Sequence, residues 1–238
     1  MNNVKAVPSH VGFIMDGNGR WAKSRKLSHY KGHEAGGARM FGLLRRSFEI
    51  GVKTVTCYVL STENLKRDAS EVKGVFLLVS IAIKMFIELS DEFHVKIKFA
   101  GDMHALSPRL VKALRKVEEH SLQYEAEGKC IYVCLAYGSR NEIVRAANKA
   151  LQKGELLTEE SLLASLDAPI NLDLVIRPGG EHRLSNFMLY QCTYAEIYFS
   201  DVLFPDFSDE EYDKALEWYA SRKRNFGLRK DAATRPNN

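Results

Sequence analysis

Four polar clusters in this chain carry residue types that can grip anions and a hard cation. The first is Asp16-Gly17-Asn18-Gly19-Arg20-Trp21. An apolar run leads straight into an acid, then two glycines, then a cation. Glycines let backbone N–H groups approach a phosphate closely. A helix following the loop would offer its positive end, and Arg20 can fork two phosphate oxygens. Asp16 beside bound phosphates makes sense if it holds a divalent cation such as Mg2+. From Asp-Gly-Asn-Gly alone, a tight turn capping a helix is the commoner explanation, and no G-x-x-x-x-G-K-[ST] loop is present. The second cluster is Leu60-Ser61-Thr62-Glu63-Asn64-Leu65-Lys66-Arg67. It suits hydrogen bonding to a diphosphate with Arg67 as the charged partner. A helix cap in a solvated loop is the ordinary alternative.

The third cluster, Tyr137-Gly138-Ser139-Arg140-Asn141-Glu142, reads mainly as a turn and helix start. The fourth runs Arg177-Pro178-Gly179-Gly180-Glu181-His182-Arg183-Leu184-Ser185-Asn186-Phe187. Two arginines six apart flank a Gly-Gly turn, with Ser185 just beyond. Such a group can hold one diphosphate through two guanidiniums, a hydroxyl and backbone N–H groups. An arginine pair buried without an anion would be costly, so the purely structural alternative requires solvent exposure. His182 alone would pass as a surface histidine, and Glu196 alone as a strand-edge acid. Two anion sites and one acid suggest two phosphorylated substrates and a metal.

These clusters need a scaffold. Apolar runs at 10–15, 52–60, 94–100, 130–136, 172–176 and 196–199 read as strands covered on both faces. Helical patterns lie between and after them at 32–50, 69–91, 107–127, 140–152, 159–166 and from 209 to about Phe226. Ser107-Pro108 reads as an N-cap followed by proline at the first helical position. Ser208 with Glu211 reads as a capping box. Alternating strands and helices predict an α/β fold: a single domain over 1–238 with a six-stranded, mostly parallel sheet flanked by helices. Ligands in such sheets collect at the carboxyl ends of the strands, where the polar clusters fall. The apolar stretch 75–87 could line a hydrophobic tunnel or simply pack the core.

Composition narrows the function classes. The chain has 238 residues, 45% hydrophobic and 27% charged, ample for a real core. Lys plus Arg total 34 against 30 acids, a net charge of +4. That admits anionic ligands, but basic residues interspersed with acids argue against nucleic acid. The four cysteines form no C-x-x-C pair, and Cys57, Cys130 and Cys134 sit in strand-like runs, which suits buried thiols in a reducing cytoplasm. No secretory signal opens the chain, and no apolar run approaches the roughly 20 residues a bilayer span needs.

The stretch His10-Val-Gly-Phe-Ile-Met-Asp-Gly-Asn-Gly-Arg-Trp-Ala-Lys23 closely resembles the opening motif of cis-prenyltransferases. The similarity continues through Gly32-His33-Glu34-Ala35-Gly36, Ser61-Thr62-Glu63-Asn64, Asp173-Leu-Val-Ile-Arg177, Gly179 to Phe187, Ala195 to Phe199 and Pro205-Asp-Phe207. The resemblance implies a homodimeric, Mg2+-dependent enzyme. An allylic prenyl diphosphate ionises, the double bond of isopentenyl diphosphate attacks its C1, and loss of a proton leaves a Z double bond. By position, Asp16 would serve Mg2+ and the allylic diphosphate, which Gly17, Gly19, Arg20, Trp21, His29 and Arg67 would bind. Asn18, His33, Ser61 and Asn64 match positions implicated in ionisation or proton handling. Arg177, Arg183 and Ser185 would hold isopentenyl diphosphate, and Glu196 and His182 would join Asp16 at the metal. A long polyprenyl product would suit peripheral membrane contact.

Several residues depart from the family pattern. His29 stands where the family usually has arginine, Leu60 where it has an aromatic residue and Leu65 where it has tryptophan. Ala136 and Ser139 replace an asparagine and a glycine, and Pro178 a threonine. Asn225-Phe226-Gly227 replaces an Arg-x-Gly element, with Arg224 adjacent. These changes keep open a rival, irregular head-to-middle coupling of two allylic diphosphates. A non-catalytic partner subunit is the other alternative, opposed by the intact Asp-Gly-Asn-Gly-Arg loop. Product length would depend on side chains from 40–44, 75–87 and 131–135, with Phe76, Phe86 and Tyr132 as bulky candidates.

Overall fold

The computed structural model describes residues 6–154 and 156–225. Six strands form one sheet: β1 (His10–Ile14), β2 (Thr54–Ser61), β3 (Lys96–Ala100), β4 (Cys130–Tyr137), β5 (Leu174–Pro178) and β6 (Glu196–Ser200). Their order is β3-β4-β2-β1-β5-β6, and every pairing is parallel. The helices are α1 (Asn18–Ser24), α2 (His29–Glu49), α3 (Ala69–Phe93), α4 (Pro108–Ser121), α5 (Ser139–Gln152), α6 (Glu159–Ser165) and α7 (Asp209–Ala220).

The near-continuous apolar strands are covered on both faces. On one, Val11, Phe13, Val55, Cys57, Ile131 and Val133 pack with Met40, Leu43 and Leu44 of α2 and Phe86 and Leu89 of α3. On the other, Ile14, Tyr58, Tyr132, Cys134 and Val175 pack with Phe187 and Met188. All four cysteines are free and buried: Cys57, Cys130 and Cys134 in the strands their apolar runs suggest, Cys192 in a turn. Edge strand β3 is sealed by α4: Ser121 Oγ accepts from Ile97 N at 3.0 Å and Glu118 Oε1 from Phe99 N at 3.0 Å. Those bonds cover the unpaired backbone donors that make an open edge a liability.

Some boundaries differ from the sequence expectation, each for a local reason. The helix expected to follow the first loop begins inside it, at Asn18, and its seven residues are too few to show helical periodicity. The next helix starts at His29, because Ser28 Oγ accepts from Lys31 N. The 107–127 stretch divides after Ser121, whose hydroxyl bonds back to the Glu118 carbonyl, and continues as a 3-10 turn over Leu122–Glu127. Ser107 caps α4 with Pro108 at the first turn. Ser208 accepts from Glu211 N at 3.3 Å, one half of the expected capping box. The last helix stops at Ala220, where apolar residues give way to Ser221-Arg-Lys-Arg. Phe226 and Gly227 lie outside the described residues. Arg224 bonds Asp173 Oδ1 and the Tyr219 hydroxyl, both at 2.7 Å, before the start of β5.

Candidate active site

The site is built where the chain leaves β1 for β2 on one side and later returns to β5 on the other, the place α/β sheets reserve for ligands. Beyond β1, Gly17 adopts φ +101° as the N-cap of α1. A Cβ there would be strained and would meet Leu203 Cδ2 at 2.9 Å. Asn18 is buried and donates to the Met15 carbonyl at 3.3 Å, while its Oδ1 is buried without a hydrogen-bond partner. The Gly32-His33-Glu34-Ala35-Gly36 motif has a packing reason. Cβ atoms on Gly32 and Gly36 would each fall 2.3 Å from an Asn18 oxygen, so two glycines one turn apart let α1 lie against α2. His33, between them, lines the cavity.

Asp16 sits between two arginines. Its Oδ2 accepts from Arg177 Nη2 at 2.8 Å and its Oδ1 from Arg20 Nη2 at 3.2 Å. Burial pushes the Asp16 carboxyl up, but the bond and charge of Arg177, then of Arg20, outweigh it and hold the group below the ordinary carboxylate range. Arg177 is only 3% exposed. Its other terminal nitrogen donates to Ser185 Oγ at 2.8 Å and to the Arg183 carbonyl. A buried arginine is tolerated here because Asp16 is its anion. Arg183 is exposed and paired with Glu181.

Across the cavity, Ser61 Oγ accepts from Asn64 N at 3.0 Å and Asn64 Oδ1 from Ser61 N at 3.4 Å, which fixes the loop after β2. Glu71, at the start of α3, is a hub that sequence reasoning missed. Its Oε1 accepts from Arg67 Nη1 at 2.9 Å and lies 3.3 Å from His33 Nε2, and its Oε2 lies 4.0 Å from His29 Nδ1. Arg67 and Glu71 four apart at a helix start were the available signal. Burial lowers the His33 imidazole, a shift that Glu71 partly offsets, so the ring is neutral at pH 7. Burial raises the Glu71 carboxyl, but His33 and Arg67 hold it below its usual range.

These groups enclose a cavity of about 660 Å3. Its walls include Asp16, Gly17, Asn18, Gly19, Arg20, His29 and His33 from the first loop and α2, Ser61, Asn64 and Arg67 after β2, and Arg177, Arg183 and Ser185 after β5. Lys23, Tyr58 and Glu71 line it too.

Three expected site residues are not brought in. Trp21 donates from Nε1 to Asp206 Oδ1 at 2.7 Å and carries Arg25 on its ring, so it ties α1 to the turn at Phe204–Asp206. Glu196 pairs with Leu174 at the amino end of β6. That is three residues, roughly 10 Å, before the level of Arg177, so Glu196 cannot share a metal with Asp16 within one chain. His182 stacks on Phe199 at 4.7 Å. Among the described residues, no group of three His, Cys, Asp or Glu side chains could hold a metal by itself.

The inner end of the cavity reaches Val59 and Leu60, and none of the side chains expected at a tunnel floor lines it. In the core, the Phe86 ring lies tilted against Phe41 at 4.9 Å and edge-on to Phe99 at 5.9 Å. Tyr132 lies on the opposite face of the sheet, against His10, and cannot narrow a passage between α2 and α3.

Residues 14–227 match the family described as putative undecaprenyl diphosphate synthase. The chain belongs to this family. An isoprenyl transferase of Aquifex pyrophilus is 39% identical over 226 residues, covering 93% of this chain and 96% of the relative. Among solved structures, lavandulyl diphosphate synthase from Lavandula x intermedia, in complex with dimethylallyl diphosphate, superposes with a TM-score of 0.87 at 32% identity. It covers 95% of this chain and 100% of its own. A probable undecaprenyl diphosphate synthase from Campylobacter jejuni gives a TM-score of 0.80 at 32% identity, covering 96% of this chain and 100% of its own. The protein is therefore a prenyltransferase of the cis-prenyltransferase fold. Among the described residues, no helix is long and apolar enough to cross a membrane.

Proposed function

We propose that the enzyme joins an allylic prenyl diphosphate to isopentenyl diphosphate, giving a Z-configured polyprenyl diphosphate. The observation that carries this reading is the Asp16–Arg177 pair at the junction of two groups of phosphate-gripping side chains in one cavity. Arg20, Lys23 and Arg67 line the cavity and, with the first N–H groups of α1, would hold the allylic diphosphate. Arg177, Arg183 and Ser185, also in its lining, would hold isopentenyl diphosphate. Ser185 Oγ accepts from Arg177 and keeps its O–H to donate to a phosphate oxygen.

The chemistry explains the cations. The allylic C1–O bond breaks, and its electron pair leaves with the diphosphate. Arg20, Arg67 and backbone donors stabilise that growing charge. The isopentenyl double bond then forms a bond to C1, and the C2 proton is lost as the new double bond forms. Holding both diphosphates side by side makes the carbon–carbon step effectively intramolecular. His33 and Asn64, which line the cavity, would orient the leaving group and exclude water on this reading. A Mg2+ ion fits the donor set in part: Asp16 is ionised and faces the cavity, and Mg2+ characteristically takes one or two carboxylates with substrate phosphates and water. Such an ion would neutralise diphosphate charge. Glu196 and His182 are not members of that set in one chain. The reading includes a homodimer in the cytoplasm with peripheral membrane contact. An exposed apolar stripe on α3, Leu77, Ile81 and Met85 at four-residue spacing, supports the membrane contact.

Irregular head-to-middle coupling is the second reading. The likeness to lavandulyl diphosphate synthase favours it, as do His29 and Leu60 in the cavity wall. One experiment separates the two: incubation with Mg2+ and dimethylallyl diphosphate, with and without isopentenyl diphosphate, followed by mass spectrometry and NMR of the dephosphorylated products. A linear Z-polyprenol formed only with isopentenyl diphosphate is expected. A branched product from the allylic substrate alone would establish the second reading. Equal turnover in EDTA would refute the Mg2+ assignment.

A further inference from the structure

Three loops from three different strands meet behind the cavity wall at one asparagine. Asn186 Nδ2 donates to Glu63 Oε1 at 2.9 Å, in the loop after β2. Asn186 Oδ1 accepts from Arg140 N at 3.0 Å, and its carbonyl accepts from Ser139 N at 2.8 Å, both in the loop after β4. Neither Asn186 nor Glu63 lines the cavity, yet each lies next to residues that do: Ser185 on one side, Asn64 on the other.

The backbone here needs such restraint. Ser185, Asn186 and Met188 have φ of +49°, +65° and +40° without being glycine. That geometry costs energy and persists only where surrounding bonds over-determine it. Asparagine is among the few residues that adopt it readily. Besides the Asn186 bonds, the Tyr58 hydroxyl donates to the Ser185 carbonyl at 3.1 Å, and Leu189 N donates to Ser139 Oγ at 2.9 Å. Gly138 is shaped to the same junction. A Cβ there would fall 2.6 Å from Thr62 Oγ1 and 2.7 Å from Asn186 Nδ2. A carboxylate such as Glu63 beside two anion sites opposes ligand binding unless it is used for something else. Its oxygens are taken by Asn186 and by Thr62 Oγ1, the latter at 3.1 Å.

We propose that Glu63 and Asn186 are positioning residues: their bond latches the Ser185 loop, which holds the acceptor diphosphate, to the Ser61–Asn64 loop that faces the allylic diphosphate. Through it, ordering of one loop by its ligand favours the geometry the other ligand needs. The inference rests on the assignment of Ser185 to the acceptor site made above.

The test combines steady-state kinetics on Glu63→Ala, Glu63→Gln and Asn186→Ala with amide exchange of the ligand-free proteins. Glu63→Ala should raise KM for isopentenyl diphosphate roughly fivefold to tenfold, the upper range for one hydrogen bond, with a much smaller change in allylic KM. Glu63→Gln keeps the acceptor oxygen and should retain wild-type behaviour. In an Asn186→Ala background, Glu63→Ala should add nothing, because the bond is already gone. Amides of residues 186–189 should exchange faster in Glu63→Ala than in the wild type. Independent, multiplying effects of the two substitutions, a Glu63→Gln as impaired as Glu63→Ala, or unchanged exchange would each overturn the latch. Should the wild type not use isopentenyl diphosphate at all, the acceptor assignment fails, and the exchange comparison still decides the latch by itself.

Discussion

Asp16→Ala should lose both turnover and stability, and added pyrophosphate should restore the second without the first. Asp16 is the only carboxylate bonded to Arg177 among the described residues, and the arginine side chain is 4% exposed. Breaking a fully buried ion pair by removing one partner costs about 3–5 kcal/mol. Here the cost should be smaller, because Arg177 keeps its bonds to Ser185 Oγ and the Arg183 carbonyl, and the Asp16 side chain is 27% exposed. A loss of about 2 kcal/mol follows, or roughly 4–8 °C in Tm for a chain of this size. Turnover should fall about 10²–10³-fold or more, the range seen when one charge-stabilising group is removed. Pyrophosphate can then take the place of the carboxylate against Arg177 and Arg20, without the repulsion that Asp16 exerts in the wild type. At a hundredfold excess over Kd, a ligand stabilises by about 2.7 kcal/mol. Differential scanning fluorimetry in EDTA, with sulfate at matched ionic strength as control, measures the effect. A variant that melts with the wild type, or equal pyrophosphate shifts in both proteins, would refute the view that Asp16 occupies an anion position.

Two further outcomes follow from packing and burial. His10 is buried with Nε2 2.7 Å from Thr56 Oγ1, and burial lowers its pKa from 6.5 to about 4. The unfolded chain therefore binds the proton first as pH falls. The stability held above pH 6.5 should decline by roughly 3 kcal/mol between there and pH 4, and His10→Gln should flatten that part of a denaturation-versus-pH series. Gly36→Ala should destabilise by about 1–3 kcal/mol and depress kcat, since its Cβ would fall 2.3 Å from Asn18 Oδ1. Gly37→Ala, whose Cβ meets nothing within 4 Å, should instead stabilise by up to about 1 kcal/mol. Urea titrations showing the same sign for both would overturn the packing explanation of the motif.

The scaffold was largely legible because its strands are buried on both faces. Runs such as Cys130-Ile-Tyr-Val-Cys-Leu-Ala-Tyr137 announce themselves without any partner being known. The same buried sheet fixes which loops share its carboxyl end, so Asp16, Ser61, Arg177 and Ser185 could be grouped before their distances were known. What stayed hidden depends on partners remote in sequence. Arg177 looked like a free phosphate ligand, since nothing local shows that Asp16, 161 positions earlier, already neutralises it. Glu71 went unnoticed because His33, which it meets at 3.3 Å, lies 38 positions earlier in the chain.

Strand register settles the remaining cases, and register is set by the whole sheet rather than by any one strand. Glu196 belongs to the family-like Ala195-Glu-Ile-Tyr-Phe199 run, which suggested a metal ligand. Pairing with Leu174 places it at the wrong end of β6 for Asp16. A single carboxylate binds Mg2+ weakly without phosphate oxygens. On the proposed reading, a single chain therefore offers Mg2+ one carboxylate, and the diphosphate itself would supply the remaining charged oxygens. The alternation rule disposes of Tyr132 in the same way. Ile131 and Val133 face the layer of α2 and α3, so Tyr132 must face away from it. Of the three bulky candidates for limiting product length, Phe86 alone sits in the aromatic cluster with Phe41 and Phe99 between that layer and the sheet. A growing chain that entered past Val59 and Leu60 would have to displace that cluster.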